Sequence, residues 1–303
     1  MRSRPGVEVA APPLAVGGRS AGRLADFVAL AKPRLNVLVV ATSAAGYYLA
    51  TTGRPALLPM SAAVMGTALV AGGAAVLNQL YERDTDALME RTRLRPLADR
   101  RLSPLDAWVF GVALASAGLL TLAVVSGAIA TLLALATIVI YLVVYTPMKR
   151  RSSLSTLVGA VPGALPPLIG WAASSGTLSV GGWSLFAIVF LWQIPHFMAI
   201  AWMYRDDYRR AGFPMLPVVE PDGRRTGRQA VLYAAALLPV SLVPSMVGVS
   251  GQLYFWLALV LGTGLVALAV RFASHRSDSA ARALFYGSIT YLPLLWAAMV
   301  LDH

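Results

Sequence analysis

Four polar residues recur at four-residue spacing in the segment AGGAAVLNQLYERDTDALMERTRLRPL, residues 71–97: Asn78, Glu82, Asp86 and Glu90. Residues four apart lie on one face of a helix, where like charges repel each other. A bound cation would remove that repulsion, and carboxylate and amide oxygens suit Mg²⁺, which also binds substrate phosphates. The pattern therefore predicts a site for a metal and a phosphate group. The alternative is a solvated helix end at the membrane surface, compensated by the five arginines within residues 91–101.

A second acidic segment, LWQIPHFMAIAWMYRDDYRRAGFPML, covers residues 191–216. Asp206 and Asp207 follow an apolar stretch, as the first acidic group does, so the two groups are predicted to face each other across a cavity. Pro195 lies inside that stretch and is predicted to kink or break its helix. His196 follows it, and the sequence leaves open whether this histidine is a ligand or a packing residue. Asp206 has Arg209 and Arg210 as helical neighbours, which also fits a surface ion pair.

Basic residues lie close to the ends of other apolar stretches. Arg34 stands in LAKPRLN, and Lys149, Arg150 and Arg151 follow YTPM. Bases beside a metal held by carboxylates would complete a binding site for a diphosphate, with arginine contributing bidentate contacts. Contact with lipid headgroups explains Arg150 and Arg151 equally well. The motifs GxxxxGK[ST], GxGxxG, HExxH and GxSxG do not occur, so nucleotide-binding loops, zinc proteases and serine hydrolases have no support.

The composition indicates that a lipid bilayer surrounds the elements that carry these residues. Of 303 residues, 57% are hydrophobic and 13% are charged, and cysteine is absent. A helix needs about 20 apolar residues to cross a hydrocarbon core of about 30 Å. The sequence contains nine such stretches, and it lacks the alternating pattern of a membrane β-barrel. The predicted fold is all-α, with spans at about 27–50, 57–80, 105–125, 128–146, 155–174, 183–203, 230–249, 252–272 and 283–301.

The charges give these spans an orientation. The net charge of +11 would suit a nucleic-acid partner, but 24 of the 25 basic residues fall on one side of the nine spans and only Arg54 on the other. Because cytoplasmic loops retain Lys and Arg, we predict a cytoplasmic N-terminus and an external C-terminus. Residues 1–25 are predicted to be a disordered basic tail without the features of a signal peptide. Residues 26–303 are predicted to form one transmembrane domain.

Three segments carry a resemblance to a known family: NQLYERDTDALMERTRLRPL, YTPMKRRSSLSTLVGAVPGALPPLIGW and WQIPHFMAIAWMYRDDYRRAGFPMLP. Together they resemble the protohaem IX farnesyltransferase (haem O synthase) branch of the UbiA prenyltransferase superfamily, in the expected order and over about residues 25–300. The spacing from Asn78 to Asp86 indicates only the superfamily. The haem branch is indicated by WQIPHF together with Asp207 and Tyr208.

The resemblance implies nine helices around a central cavity and transfer of farnesyl from farnesyl diphosphate to a vinyl group of haem B, with addition of water to give haem O. It implies a site in a cell membrane, with the lipid bilayer as a partner and a downstream haem A-forming enzyme as a candidate partner. Asn78, Glu82, Asp86, Asp206 and Asp207 would hold Mg²⁺, with Asp84 as a further acid. The residues that would bind the diphosphate are Arg34, Arg91, Arg95, Lys149 and Arg150, and those that would line the cavity are Tyr145 and His196.

Two departures from the family pattern leave details open. Glu82 stands where the superfamily commonly has Asp, which leaves open whether Asp84 shares its role, and the second segment has adjacent rather than spaced acids. Two other functions stay as alternatives: a UbiA-type prenyltransferase with an aromatic acceptor, and an ion-coupled membrane transporter. The PHF segment argues against the first. The absence of a recognisable inverted repeat argues against the second.

Overall fold

The computed structural model describes residues 22–303, and within that range every regular element is a helix. A short π-helical segment, Ile140–Tyr145, joins α5 to α6. The all-α prediction is confirmed. The helices are α1 Arg23–Leu30, α2 Pro33–Leu49, α3 Leu57–Asp86, α4 Pro104–Val125, α5 Gly127–Val139, α6 Thr146–Met148, α7 Ser155–Ser175, α8 Val180–Met203, α9 Arg205–Arg210, α10 Leu216–Val219, α11 Arg224–Met246, α12 Gln252–His275 and α13 Asp278–Leu301.

The long helices have the length and composition of membrane spans. Eight qualify in residues 22–303, counting Gly127–Met148 as one, and α2 adds a shorter helix that is apolar over Asn36–Leu49. At 17 residues α2 is at the short end of the range for a span. Large apolar side chains such as Leu120 and Val124 on α4 remain exposed, as expected for a surface that faces lipid. The chain is a multi-pass membrane protein.

The first predicted span is divided in two. Instead of one helix over 27–50, α1 ends at Leu30 and α2 begins at Pro33. Proline lacks an N–H and disfavours helical geometry in the residue before it. Lys32 accordingly takes a left-handed conformation, with φ of 50°, and the chain turns there before entering the membrane.

The helix α1 lies partly inside the predicted tail of residues 1–25, since it begins at Arg23. The remainder of that tail, residues 1–21, lies outside the described residues. Two ion pairs hold α1 against the loop that follows α3 and against the first turn of α4. Arg101 pairs with the buried Asp26, and Arg23 pairs with Asp106 at 2.8 Å.

The helix α3 carries the first acidic group out of the membrane. Its 30 residues make it about 45 Å long at 1.5 Å per residue, against a hydrocarbon core of about 30 Å. The helix ends at Asp86, so the expectation that Glu90 continues the same helical face is wrong. Glu90 lies in the following turn with its side chain 75% exposed.

Pro195 does not break its helix, where a kink or a break was predicted. The helix α8 continues through Pro195 to Met203, and α7 contains Pro162, Pro166 and Pro167. Bundles in membranes tolerate such prolines, because neighbouring helices and side chains satisfy the backbone groups that proline frees.

Two apolar cores hold the bundle together. The larger core joins α7, α8, α11, α12 and α13, with the fully buried Leu185, Ile188 and Leu284 among its residues. The smaller core joins α2, α3, α4 and α5 to the opposite part of α7 and includes Leu122 and Leu168. The helix α7 belongs to both cores, so the two groups of helices meet along it.

Candidate active site

A cavity of about 380 Å³ lies inside the bundle. Its walls come from α2, α3, the π-helical segment, α7 and α8, and one end is formed by the segments that follow α3 and α8. Charged residues line that end, including Lys32, Glu82, Asp86, Arg95 and Lys149. Apolar residues such as Val39, Ala71, Phe197 and Ile200 line other parts of the wall. The cavity therefore offers both charged groups and an apolar surface to one ligand.

Asn78 is held by two side chains from the opposite wall. Its Nδ2 donates to Thr146 Oγ1 at 3.0 Å, and Tyr141 donates its hydroxyl proton to Asn78 Oδ1 at 3.3 Å. Thr146 in turn donates to the backbone oxygen of Tyr141 at 2.7 Å. The amide orientation of Asn78 is therefore fixed by residues in and beside the π-helical segment.

Glu82 lies one turn further along α3 and pairs with Lys149. The Lys149 Nζ atom is 2.8 Å from Oε1 and 3.2 Å from Oε2 of Glu82, whose side chain is 4% exposed. The ammonium group also lies over two aromatic rings, 5.1 Å from the centroid of Tyr145 and 5.6 Å from that of Phe213. Lys149 is thereby held at the cavity wall beside a carboxylate.

Asp86 ends α3 and uses only one of its two carboxylate oxygens. Arg95 donates to Oδ2 at 2.7 Å, while Oδ1 is buried without any hydrogen-bond partner among the described residues. A buried carboxylate oxygen that lacks a partner is energetically costly. The position therefore favours a ligand that supplies a positive charge or a donor to Oδ1.

The oxygen ligands on the cavity wall can bind Mg²⁺ only together with further ligands from the substrate. Within residues 22–303 no group of three or more His, Cys, Asp or Glu side chains is close enough to hold a metal ion. Mg²⁺ is usually bound by one or two carboxylates together with substrate phosphates and water. Asp86 Oδ1, Glu82 and the amide oxygen of Asn78 are the hard oxygen atoms that this wall provides. They fit a metal that arrives with a phosphate group.

Arg91 connects the segments that follow α3 and α8 at this end of the cavity. Its guanidinium lies 5.2 Å from the ring centroid of Tyr204 and 5.9 Å from that of Tyr208, and it donates to the Tyr208 hydroxyl at 3.4 Å. Beside it, Met89 packs against Phe213. The segments that carry the two acidic groups therefore do meet at the cavity, through aromatic and apolar contacts.

Lys32 adds a base to the cavity that the sequence analysis did not select. Burial, together with the nearby positive charges of Arg95 and Lys149, lowers its pKa to about 7 against the opposing influence of Glu82 and Asp86. Its amine therefore loses its proton more readily than that of an exposed lysine. An anionic ligand would favour the charged form.

Several predicted site residues are not brought to the cavity. Asp84 is 86% exposed and pairs with Arg83, and Asp206 is 67% exposed and pairs with Arg209. Asp207 pairs with Arg210 and is more buried, at 12% exposure, but it does not line the described cavity. The two acidic groups therefore do not face each other directly.

Arg150 and His196 also make contacts elsewhere. Arg150 donates to Thr85 at 3.0 Å and lies 5.9 Å from the ring centroid of Tyr81. The His196 Nδ1 atom is 2.8 Å from Ser288 Oγ, and its ring stacks between Trp192 and Phe285. This geometry is that of a packing residue between α8 and α13. Arg34 lies in the first turn of α2, and its side chain is outside the described part of the structure.

The sequence analysis did not select several polar residues of the cavity, among them Lys32, Tyr141 and Gln193, and it noted Tyr208 only for the resemblance. Gln193 could have been found, because a polar side chain inside a membrane span is usually functional. Tyr141 gave no such signal. The π-helical segment determines its position, and a sequence pattern does not reveal where such a segment occurs.

Comparison with known proteins gives a consistent family. Residues 39–296 match the UbiA prenyltransferase family. The chain is 46% identical to the protoheme IX farnesyltransferase of Solibacter usitatus over 92% of this chain and 98% of that protein. It is 43% identical to the protoheme IX farnesyltransferase of Koribacter versatilis, over 93% of this chain and 94% of that protein.

Solved structures show the same fold at low identity. A structure of digeranylgeranylglyceryl phosphate synthase aligns with a TM-score of 0.79 at 14% identity, over 92% of this chain and 98% of that one. A UbiA homologue from Archaeoglobus fulgidus bound to GPP and Mg²⁺ aligns with a TM-score of 0.63 at 15% identity, over 90% of this chain and 99% of that one. The family match and the full-length relatives agree with the helical bundle and its cavity, and the chain belongs to the UbiA prenyltransferase family.

Proposed function

We propose that this chain transfers a farnesyl group from farnesyl diphosphate to a vinyl group of haem B, giving haem O after addition of water. The observation that carries the proposal is the cavity itself, which places paired carboxylates and bases next to an apolar wall within the membrane. A prenyl diphosphate has a charged head and an apolar chain and matches both parts. The choice of farnesyl and haem B is supported by relatives at 41–46% identity that are named protoheme IX farnesyltransferase.

Mg²⁺ is the metal that we propose for the site. Asn78, Glu82 and Asp86 would hold it, with Asp86 Oδ1 as the atom most in need of a partner. The metal would neutralise charge that develops on the departing diphosphate. Support comes from the Archaeoglobus fulgidus homologue with bound GPP and Mg²⁺. Of the second acidic segment, Asp207 is better placed than Asp206, because it is more buried and precedes Tyr208 at the cavity.

The bases at the cavity wall would bind the diphosphate oxygens. Arg91, Arg95 and Lys149 line the cavity together with Lys32, and their charges stabilise negative charge most strongly where water is scarce. Arg34 is proposed for the same role by resemblance alone. Arg150 would act only through its contact with Thr85, since it does not line the described cavity.

The aromatic residues of the π-helical segment would protect the reactive carbon chain. The rings of Tyr141 and Tyr145 stack with centroids 5.4 Å apart, and both line the cavity. The face of an aromatic ring attracts a cation, so this pair can stabilise an allylic cation after the diphosphate leaves. The surrounding apolar wall would keep bulk water away from that cation.

We place the protein in the cell membrane with the N-terminus and the charged end of the cavity in the cytoplasm and the C-terminus outside. The support is the distribution of basic residues, 24 of 25 on one side of nine spans. A product that stays in the bilayer would suit direct transfer to a downstream haem A-forming enzyme.

A competition between acceptors tests the proposal. The purified protein would receive farnesyl diphosphate and Mg²⁺ together with equal amounts of haem B and 4-hydroxybenzoate, and mass spectrometry would identify the farnesylated product. We expect the farnesyl group on haem. Farnesylated hydroxybenzoate as the main product would instead assign the chain to the aromatic-acceptor enzymes.

A further inference from the structure

Gln193 presents an unused hydrogen-bond acceptor to the cavity. Its Nε2 donates to the backbone oxygens of Ala160 and Val189, both at 3.1 Å. Because both partners are carbonyl oxygens, the nitrogen must face them and the amide orientation is fixed. No donor in residues 22–303 bonds to Oε1, although the residue is only 6% exposed and lines the cavity. An amide oxygen accepts up to two hydrogen bonds, so this one is available to a ligand.

Two glycines of α7 leave the space that this oxygen and the Tyr145 ring occupy. A Cβ atom added at Gly163 would overlap Gln193 Oε1, and one added at Gly159 would overlap the ring of Tyr145. Residues four apart lie on one helical face, about 6 Å apart along the axis. Gln193 and Tyr145 therefore contact α7 about one helical turn apart. Tyr145 in turn lies beside Lys149, which pairs with Glu82, so Tyr145 separates Gln193 from the charged group that would hold the diphosphate.

The proposed reaction requires a positioned water molecule at this depth. Transfer breaks the bond between farnesyl C1 and the diphosphate oxygen and forms a bond between C1 and the outer carbon of the vinyl group. The inner vinyl carbon then carries the positive charge. A water oxygen donates an electron pair to that carbon, and one water proton passes to a diphosphate oxygen. Without a positioned water, the same cation loses a proton from the neighbouring carbon to a diphosphate oxygen and forms an alkene.

We infer that Gln193 Oε1 binds and orients the water that adds to the vinyl cation, which makes Gln193 a water-positioning residue. This inference rests on the proposed function. The amide oxygen accepts a hydrogen bond from the water proton that is retained, so the oxygen lone pair is free to attack. Farnesyl binds and transfers without that contact. The identity of the product, rather than the amount of transfer, therefore depends on Gln193.

The test compares the products of the wild type and Gln193→Leu by mass spectrometry in water labelled with heavy oxygen. We expect the ratio of the alkene product, lighter by one water, to the labelled hydroxyl product to rise about tenfold, as loss of one hydrogen bond implies. Gly163→Ala keeps the glutamine but displaces its oxygen, so it should move the ratio in the same direction. An unchanged ratio in both variants, with farnesylated haem still formed, would overturn the inference.

Two control variants separate a local effect from general damage. Gln79 is also buried, donates from Nε2 to two backbone oxygens, those of Leu30 and Ala75, and does not line the described cavity. Gln79→Leu should leave the product ratio unchanged, and so should Gly262→Ala, whose Cβ would press on Leu238 far from the cavity lining. If the controls shift the ratio as Gln193→Leu does, the inference fails. If even the wild type forms no farnesylated haem, the proposed function fails instead.

Discussion

At the scale of single residues, the paired carboxylates of α3 differ in how completely they are satisfied. Glu82 has both oxygens on Lys149, whereas Asp86 keeps Oδ1 without a partner among the described residues. An unsatisfied buried oxygen in a stable fold requires an explanation. Binding of a metal with a diphosphate provides one and makes Asp86 the most sensitive acid.

Asp86→Asn should reduce farnesyl transfer by about 100-fold or more, because it removes a charge that the metal needs in the transition state. Asp84→Asn should retain near-normal activity, since Asp84 is 86% exposed and paired with Arg83. Steady-state assays of both variants at equal amounts of folded protein would check this. Equal losses in the two variants would show that Asp84 shares the role of the motif.

Lys32 predicts a dependence on pH. Its lowered pKa of about 7 means that the charged form is present below that pH and is lost as the pH rises through it. The KM for farnesyl diphosphate should therefore rise across this range. Arginine stays charged throughout this pH range, so the rise in KM should be smaller in Lys32→Arg. The other charged groups near the position, Glu82, Asp86, Arg95 and Lys149, are the same in both proteins. Identical pH profiles for wild type and Lys32→Arg would contradict the assignment, because the titration of the substrate is the same in both.

At the scale of elements, the π-helical segment Ile140–Tyr145 has the largest effect on the site. It brings Tyr141 against Asn78 and Tyr145 under Lys149 in successive turns. A π turn contains one residue more than an α turn and often occurs at functional sites. Removing that residue would rotate everything after it by about 100°.

Deletion of Val143, which is 67% exposed, should therefore abolish activity while the protein still inserts and stays helical. Val143→Ala should be nearly neutral, since it shortens a side chain at the surface without changing the register. Circular dichroism and the transfer assay on the two variants provide the comparison. Retention of activity by the deletion variant would mean that the π turn does not position the site.

The elements also show how far the sequence could predict this structure. Long apolar stretches predicted the helices well, because membrane spans need about 20 apolar residues whatever their neighbours are. The pairing of Glu82 with Lys149, 67 residues away, depends on packing and could not be read from spacing. Pro33 explains the helix break at Lys32, because proline disfavours helical geometry in the residue before it. Pro195 does not break α8, because neighbouring helices in a bundle can satisfy the backbone groups that a proline frees.

At the scale of the whole molecule, the charges and the cavity are related. The helix ends that carry the acidic groups are on the side with 24 of the 25 basic residues. The charged end of the cavity lies on that side of the bundle. On the opposite side the helices are joined by short loops, such as the single residue Ser126 between α4 and α5. The net charge of +11 thus fits the proposed orientation in the membrane, and some of the basic residues line the cavity.

The orientation can be tested directly, because the chain has no cysteine. Thr177 and Ser279 are exposed at opposite ends of the bundle, before α8 and within the first turn of α13. In intact cells a membrane-impermeant maleimide should label Thr177→Cys, and it should label Ser279→Cys only after permeabilisation. The reverse pattern would invert the proposed topology.

The most direct test of the central claim is the product formed from haem B and farnesyl diphosphate by the purified protein, identified by mass spectrometry with and without Mg²⁺. We predict haem O in the presence of Mg²⁺, its loss on chelation, and its recovery when the metal is restored. Absence of any farnesylated haem from folded protein supplied with Mg²⁺ would contradict the account.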